Sequence, residues 1–127
     1  MSTPATHLPD PVNEHAAAAY ESIRALCHAT VGRGPIPPPQ VYEVLGNLKC
    51  LGYGLTQALR QLSRALAESL TVYAVYEDDG DNPEESIAYA MESLRAAADR
   101  ATQLAVLLDA AQDDLSRIGI HQQREPR

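Results

Sequence analysis

The chain contains no Trp and no Phe, and its only aromatic residues are six Tyr. A deep core built on large rings is thereby excluded. What fills an interior here must be Leu, Val, Ile and above all Ala, the commonest residue at 20 positions. Small side chains suit long helices packed closely better than a thick globule. Basic residues are scarce as well. Nine Arg and one Lys stand against 17 acids, for a formal charge of −7. A chain of that sign repels a phosphate backbone, so direct nucleic-acid binding is not expected. The two cysteines, Cys27 and Cys50, read as free thiols rather than a disulfide framework. No run approaches the roughly 20 apolar residues that a membrane helix needs. The opening residues, MSTPATHLPDP, show neither a basic n-region nor an apolar h-region, so a cytoplasmic location is expected. The excess of Arg over Lys, with so much Ala, points to GC-rich bacterial codons and carries no mechanism.

What the sequence does contain is a mirror about Gly80. Leu70 and Ala90, Leu66 and Leu94, Leu59 and Ala101, Gly52 and Leu108, Leu45 and Leu115 are equidistant from it. A second set mirrors about the Asp79–Gly80 bond: Leu62 with Ala97, Leu55 with Leu104, Leu48 with Ala111, Val41 with Ile118. Each arm spaces apolar residues alternately four and three apart, the heptad signature of a helix seam. The predicted fold is therefore all-α. A long antiparallel helical hairpin, about 39–76 and 83–118, is joined by a shorter N-terminal helix, about 11–31. The three form a bundle-like single domain over 10–118, between disordered tails at 1–9 and 119–127.

Punctuation supports these boundaries. Asp10-Pro11 and Asn82-Pro83 each place a capping side chain before a Pro at the first helical position. Glu84 and Glu85 then meet the positive end of the helix dipole. GRGPIPPP, residues 32–39, breaks the chain and reads as a rigid connector, with a docking motif for a Pro-binding domain as the other reading. In the first helix, Ala16, Ala19, Tyr20, Ile23, Leu26 and Cys27 share one face. The second helix is on the order of 55 Å long. Gly46, Gly52 and Gly54 weaken its middle by about 1 kcal/mol each against Ala. Close approach of another backbone at Gly52, opposite Leu108, is the favoured explanation, with a kink near Gly46-Asn47 as the alternative.

Beside the second helix's seam runs another stripe, Val44, Leu51, Ala58, Ala65 and Val72, so this helix has two apolar neighbours to satisfy. Leu104-Ala105-Val106-Leu107-Leu108 is apolar nearly all round, and one hairpin partner cannot cover it. A homodimer is expected from this surplus. The candidate interface residues are Leu104, Val106, Leu107 and Leu108, with Tyr73, Tyr76 and Tyr89 near the turn, because Tyr gives amphipathic contact area at low entropy cost.

Catalytic and ligand signals are thin. Glu77, Asp78, Asp79, Asp81, Glu84 and Glu85 crowd the turn. Their order does not match an EF-hand loop, and a solvated, helix-capping turn accounts for them; a divalent-cation site is the other reading. All-helical MazG-type nucleotide pyrophosphatases hold Mg²⁺ with carboxylates one turn apart on two helices. Here Asp81 and Glu84 lie roughly 40 Å from Asp109 and Asp113 by helix rise, so such a site would have to be assembled across a dimer. His7, His15, His28 and His121 show no metal-ligand spacing, and adjacent Cys27 and His28 point about 100° apart on a helix. Arg60 and Arg64 are one turn apart and could grip a phosphate, although Glu68 one turn on offers an ion pair. The hairpin resembles, in architecture, the small secreted helical hairpins that carry Trp-x-Gly in the turn. This turn reads DDGDNP, and no residue is carried over.

No catalytic, metal or cofactor residue is expected. The function class that fits is a non-enzymatic, helical interaction or regulatory protein that binds itself and an unidentified protein partner. A Mg²⁺-dependent nucleotide hydrolase and a DNA-linked regulator are the alternatives from other classes.

Overall fold

The computed structural model describes residues 10–121. The tail expected at 1–9, with His7, and the end of the chain past His121, with Arg124 and Arg127, lie outside the described residues. The chain is all-helical: α1 (Pro11–Thr30), α2 (Pro38–Val72) and α3 (Pro83–Leu115), with no strand among the described residues. It divides between Ile36 and Pro37 into two units.

The first unit contains α1. Asp10 caps it, its carboxylate accepting from the Val12 amide at 2.9 Å, and Pro11 takes the first helical position. The last turn closes as the Val31 amide donates to the Cys27 carbonyl at 3.1 Å. On the surface Glu21 pairs with Arg24 at 3.2 Å, and the Arg24 guanidinium lies 5.9 Å from the centre of the Tyr20 ring. Cys27 and Cys50 are both exposed free thiols.

The second unit is the hairpin of α2 and α3, which pack extensively on each other. α3 begins where its sequence predicts. The Asn82 side chain accepts from the Glu84 amide at 3.0 Å, ahead of Pro83. α2 ends four residues sooner than expected, at Val72 rather than Tyr76. The Ser69 hydroxyl donates to Leu66 O at 2.6 Å, and the Thr71 hydroxyl to Glu68 O at 2.8 Å. The backbone ladder still closes here, with the Tyr73 amide donating to Ser69 O at 2.9 Å. Tyr73 then turns extended, φ −110° and ψ 144°. α3 likewise stops at Leu115, short of Ile118, where the Ser116 amide reaches back only three residues, to Asp113 O at 3.1 Å. No helix of the described residues is long and apolar enough to cross a membrane.

α2 runs unbroken through its glycines. Gly52 does serve close approach, but its neighbour is Ala105 and not Leu108. A Cβ at Gly52 would lie 3.0 Å from the Ala105 Cβ and 3.3 Å from its Cα. Around Gly52, Thr56 meets Thr102 hydroxyl to hydroxyl at 3.1 Å, Lys49 pairs with Asp109 at 3.0 Å, and Arg60 with Asp99 at 3.6 Å. The contacts of this stretch thus depart from the mirror by three residues at Gly52, by one or two at Thr56–Thr102 and Lys49–Asp109, and not at all at Arg60–Asp99.

The seam that results is made of small residues. Its buried positions are Gly52, Thr56 and Ser63 on α2, and Ala98, Ala101 and Ala105 on α3. Those three Ala are the buried apolar side chains among the described residues, and no large side chain is fully buried there. Leu55, Leu62 and Leu104, placed in the seam by their spacing, are exposed instead. Around the close Gly52–Ala105 contact the fully buried positions go to small side chains, while Leu59 and Leu108 enter the seam only half-buried. The Thr hydroxyls are satisfied locally: Thr56 bonds Gly52 O at 3.0 Å and Thr102 bonds Ala98 O at 3.2 Å.

Candidate functional site

Each residue of a helix is rotated by about 100° from the one before it. With the seam at Gly52, Thr56, Leu59 and Ser63 on α2, and at Ala98, Ala101, Ala105 and Leu108 on α3, the flanking positions fall on two opposite faces. In an antiparallel pair, the residues just before each seam position lie on one face of both helices, and those just after lie on the other.

The face after the seam is polar. It holds Tyr53, Gln57, Arg60 and Arg64 of α2, with Asp99, Thr102, Val106 and Asp109 of α3. A shallow groove of about 540 Å³ runs here between Tyr53, Gln57, Arg60, Gln61, Arg64 and the two Thr. One turn before Tyr53, Lys49 bonds both Asp109 and Gln112, at 3.0 and 3.1 Å. The Asp109 bond is the main reason why the ammonium holds its proton above the usual Lys value. Gln112 in turn donates to Tyr42 O at 3.2 Å, in the space that Gly46 leaves by having no side chain. The ion pair offered by Glu68 to Arg64 does not form; Arg60 pairs with Asp99 on α3 instead.

The face before the seam is apolar. On α2 it comprises Val44, Leu48, Leu51, Leu55, Ala58, Leu62, Ala65, Ser69 and Val72, without a single charge. On α3 it comprises Ala97, Arg100, Leu104, Leu107 and Ala111, ending at Asp114. Most of these side chains are exposed, Leu51 at 41%, Leu104 at 47% and Leu107 at 68%. Here the second stripe of α2 joins a third of the residues that spacing assigned to the seam: Leu48, Leu55 and Leu62 of α2 with Ala97, Leu104 and Ala111 of α3.

The expected interface residues therefore separate. Leu104 and Leu107 lie together on the apolar face. Leu108 is half-buried in the hairpin seam, and Val106, 53% exposed, is on the polar face. Tyr73, Tyr76 and Tyr89 are all exposed near the turn. Tyr76 lines a cleft with Glu77, Asp78, Asp79, Asp81 and Ser86, while the Tyr89 hydroxyl donates to Glu85 at 3.2 Å. Sequence spacing missed Thr56, Ser63, Lys49 and Gln112. The available signal was Gly52 itself, which sets the phase of the seam and with it both faces.

At the turn, carboxylate oxygens of Glu77, Asp79 and Asp81 lie within 4.8 Å of one another. These are the residues that could hold a cation. The Asp81 amide donates to Asp79 at 3.1 Å, and this bond chiefly holds the Asp79 carboxyl below its ordinary value. Asp109, at the far end of the hairpin, is engaged by Lys49. No family model, curated protein or solved structure matches this chain.

Proposed function

We propose that this chain is a non-enzymatic interaction protein that acts as a homodimer through the apolar face of its hairpin. The observation that carries this reading is the poverty of the core. A buried Leu, Ile or Val contributes about 1.5–3 kcal/mol to an ordinary domain. Here the buried apolar side chains among the described residues are Ala98, Ala101 and Ala105 alone. Meanwhile Leu51, Leu55, Leu62, Leu104 and Leu107 face water. Covering a face of that kind is the ordinary way in which a two-helix hairpin gains a core. The polar face, with its Arg- and Gln-lined groove, would then remain open to a different protein.

Sedimentation equilibrium over a micromolar concentration series tests the reading. A dimer is expected throughout that range. A chain that remains monomeric there would sink the proposal.

A further inference from the structure

The apolar face carries two charges on α3, Arg100 and Asp114, and their positions say how a second copy sits on it. Resting on the homodimer reading above, we infer that two copies pack face to face and antiparallel, with the two-fold axis crossing Leu107 of α3 and Leu51 of α2. These two Leu lie at the same height in the hairpin, since Gly52 packs on Ala105 and Lys49 pairs with Asp109. Arg100 and Asp114 are equidistant from Leu107 in sequence. A two-fold through Leu107 therefore brings each Arg100 to the other copy's Asp114, twice. Among the described residues of one copy, Arg100 bonds only Gln103, at 3.2 Å, and Asp114 makes no hydrogen bond or ion pair through its side chain.

The remaining positions are self-complementary about the same axis. Leu104 meets Ala111 of the second copy, large against small. On α2, Leu48 meets Leu55 and Val44 meets Ala58. No charge opposes an apolar side chain anywhere in this set. The overlap runs from Val41 to Leu62, roughly 33 Å at about 1.5 Å per residue. Over a width of about 20 Å for two helices, this covers about 1,300 Å² in total, within the range of a stable interface.

The other two-fold that joins the same faces runs along the helices. It lays α2 over α3 of the second copy. Arg100 then meets the uncharged stretch around Ala58, and a charge buried without a partner is costly. The two turns, each with Glu77, Asp78, Asp79, Asp81, Glu84 and Glu85, come side by side. The crosswise axis sends them to opposite ends.

Charge reversal tests this arrangement by sedimentation equilibrium on the full chain. Arg100→Asp and Asp114→Arg each place like charges in both pairs and should raise the dimer Kd at least about tenfold. The double variant should return to near the wild-type Kd. So should an equimolar mixture of the two single variants, which pair only with each other; recovery on mixing also shows that neither single variant is misfolded. A wild-type dimer that ignores the single reversals, or singles that stay weak on mixing, overturns this arrangement and leaves the homodimer reading standing. A wild-type monomer overturns both.

Discussion

One face of the hairpin is held by ions and amides, the other by nothing of its own. On the polar face Lys49, Asp109, Gln112 and the Tyr42 carbonyl form a connected set that ties α2 to α3. On the apolar face Leu51, Leu55, Leu104 and Leu107 are neighbours across the same two helices, yet they stay open to water. Polar contacts join the two helices beside the Gly52–Ala105 contact, while the exposed Leu take no part in that; on the reading proposed above they face a second copy.

The sharpest way to break this contrast is to make one substitution on both faces. Leu107→Glu should raise the dimer Kd by at least about a hundredfold, an effect of about 3 kcal/mol, because a carboxylate replaces the side chain on the axis. Val106→Glu, one residue away, should change it by less than about threefold, since surface changes away from an interface are near neutral. Light scattering across a dilution series separates the two. Equal effects would show that the faces are not distinct.

The next largest effect concerns the seam between the faces. Gly52→Leu forces a side chain against Ala105, where a Cβ alone would already lie 3.0 Å away. It should lower stability by about 2–3 kcal/mol in urea denaturation, as overpacking does. A Cβ at Gly54 would instead meet nothing within 4 Å. Gly54→Ala should therefore raise stability by about 0.5–1 kcal/mol through helix propensity. A smaller loss, about 1 kcal/mol, is expected for Asn82→Ala, which removes the cap of α3.

The smallest effects are electrostatic. Asp79 titrates below its ordinary 3.8 in the folded chain. Its contribution is present above pH 3.8 and fades as pH falls through the folded value. Lys49 titrates above its ordinary 10.5. Its contribution is complete below pH 10.5 and is lost as pH rises through the folded value. Thermal melts of Asp79→Asn should show a slightly shallower acid limb, and those of Lys49→Met a slightly shallower alkaline limb. A variant profile that parallels wild type would refute the corresponding contact.

Much of this architecture is legible in the residues themselves. Asp10-Pro11 and Asn82-Pro83 mark two helix starts because capping is a local matter. The phase of the seam is not legible in the same way. Spacing alone cannot tell a Leu that faces a partner helix from a Leu that faces a second molecule, and both stripes of α2 repeat with one period. Close packing chose Gly52, Thr56 and Ser63, residues that a hydrophobicity count passes over. The end of α2 was hidden for a similar reason: Tyr73 and Tyr76 continue the heptad spacing, although the helix has already ended at Val72. The apolar face emerges once the phase is corrected, and Arg100 and Asp114 gain meaning only then.

Between Val72 and Pro83 the chain leaves helix for a loose reversal, with Gly80 at φ 82° and Asp78, Asp79 and Asp81 exposed. The register of the hairpin is set by Gly52 against Ala105, far from this reversal, so the loop need only be long enough to span the gap. Doubling such a loop costs only about 0.6 kcal/mol in closure entropy. A fluorescent reporter or an affinity tag can therefore be inserted at Gly80, where in the antiparallel dimer it would stand at the outer tip of each copy, clear of both faces.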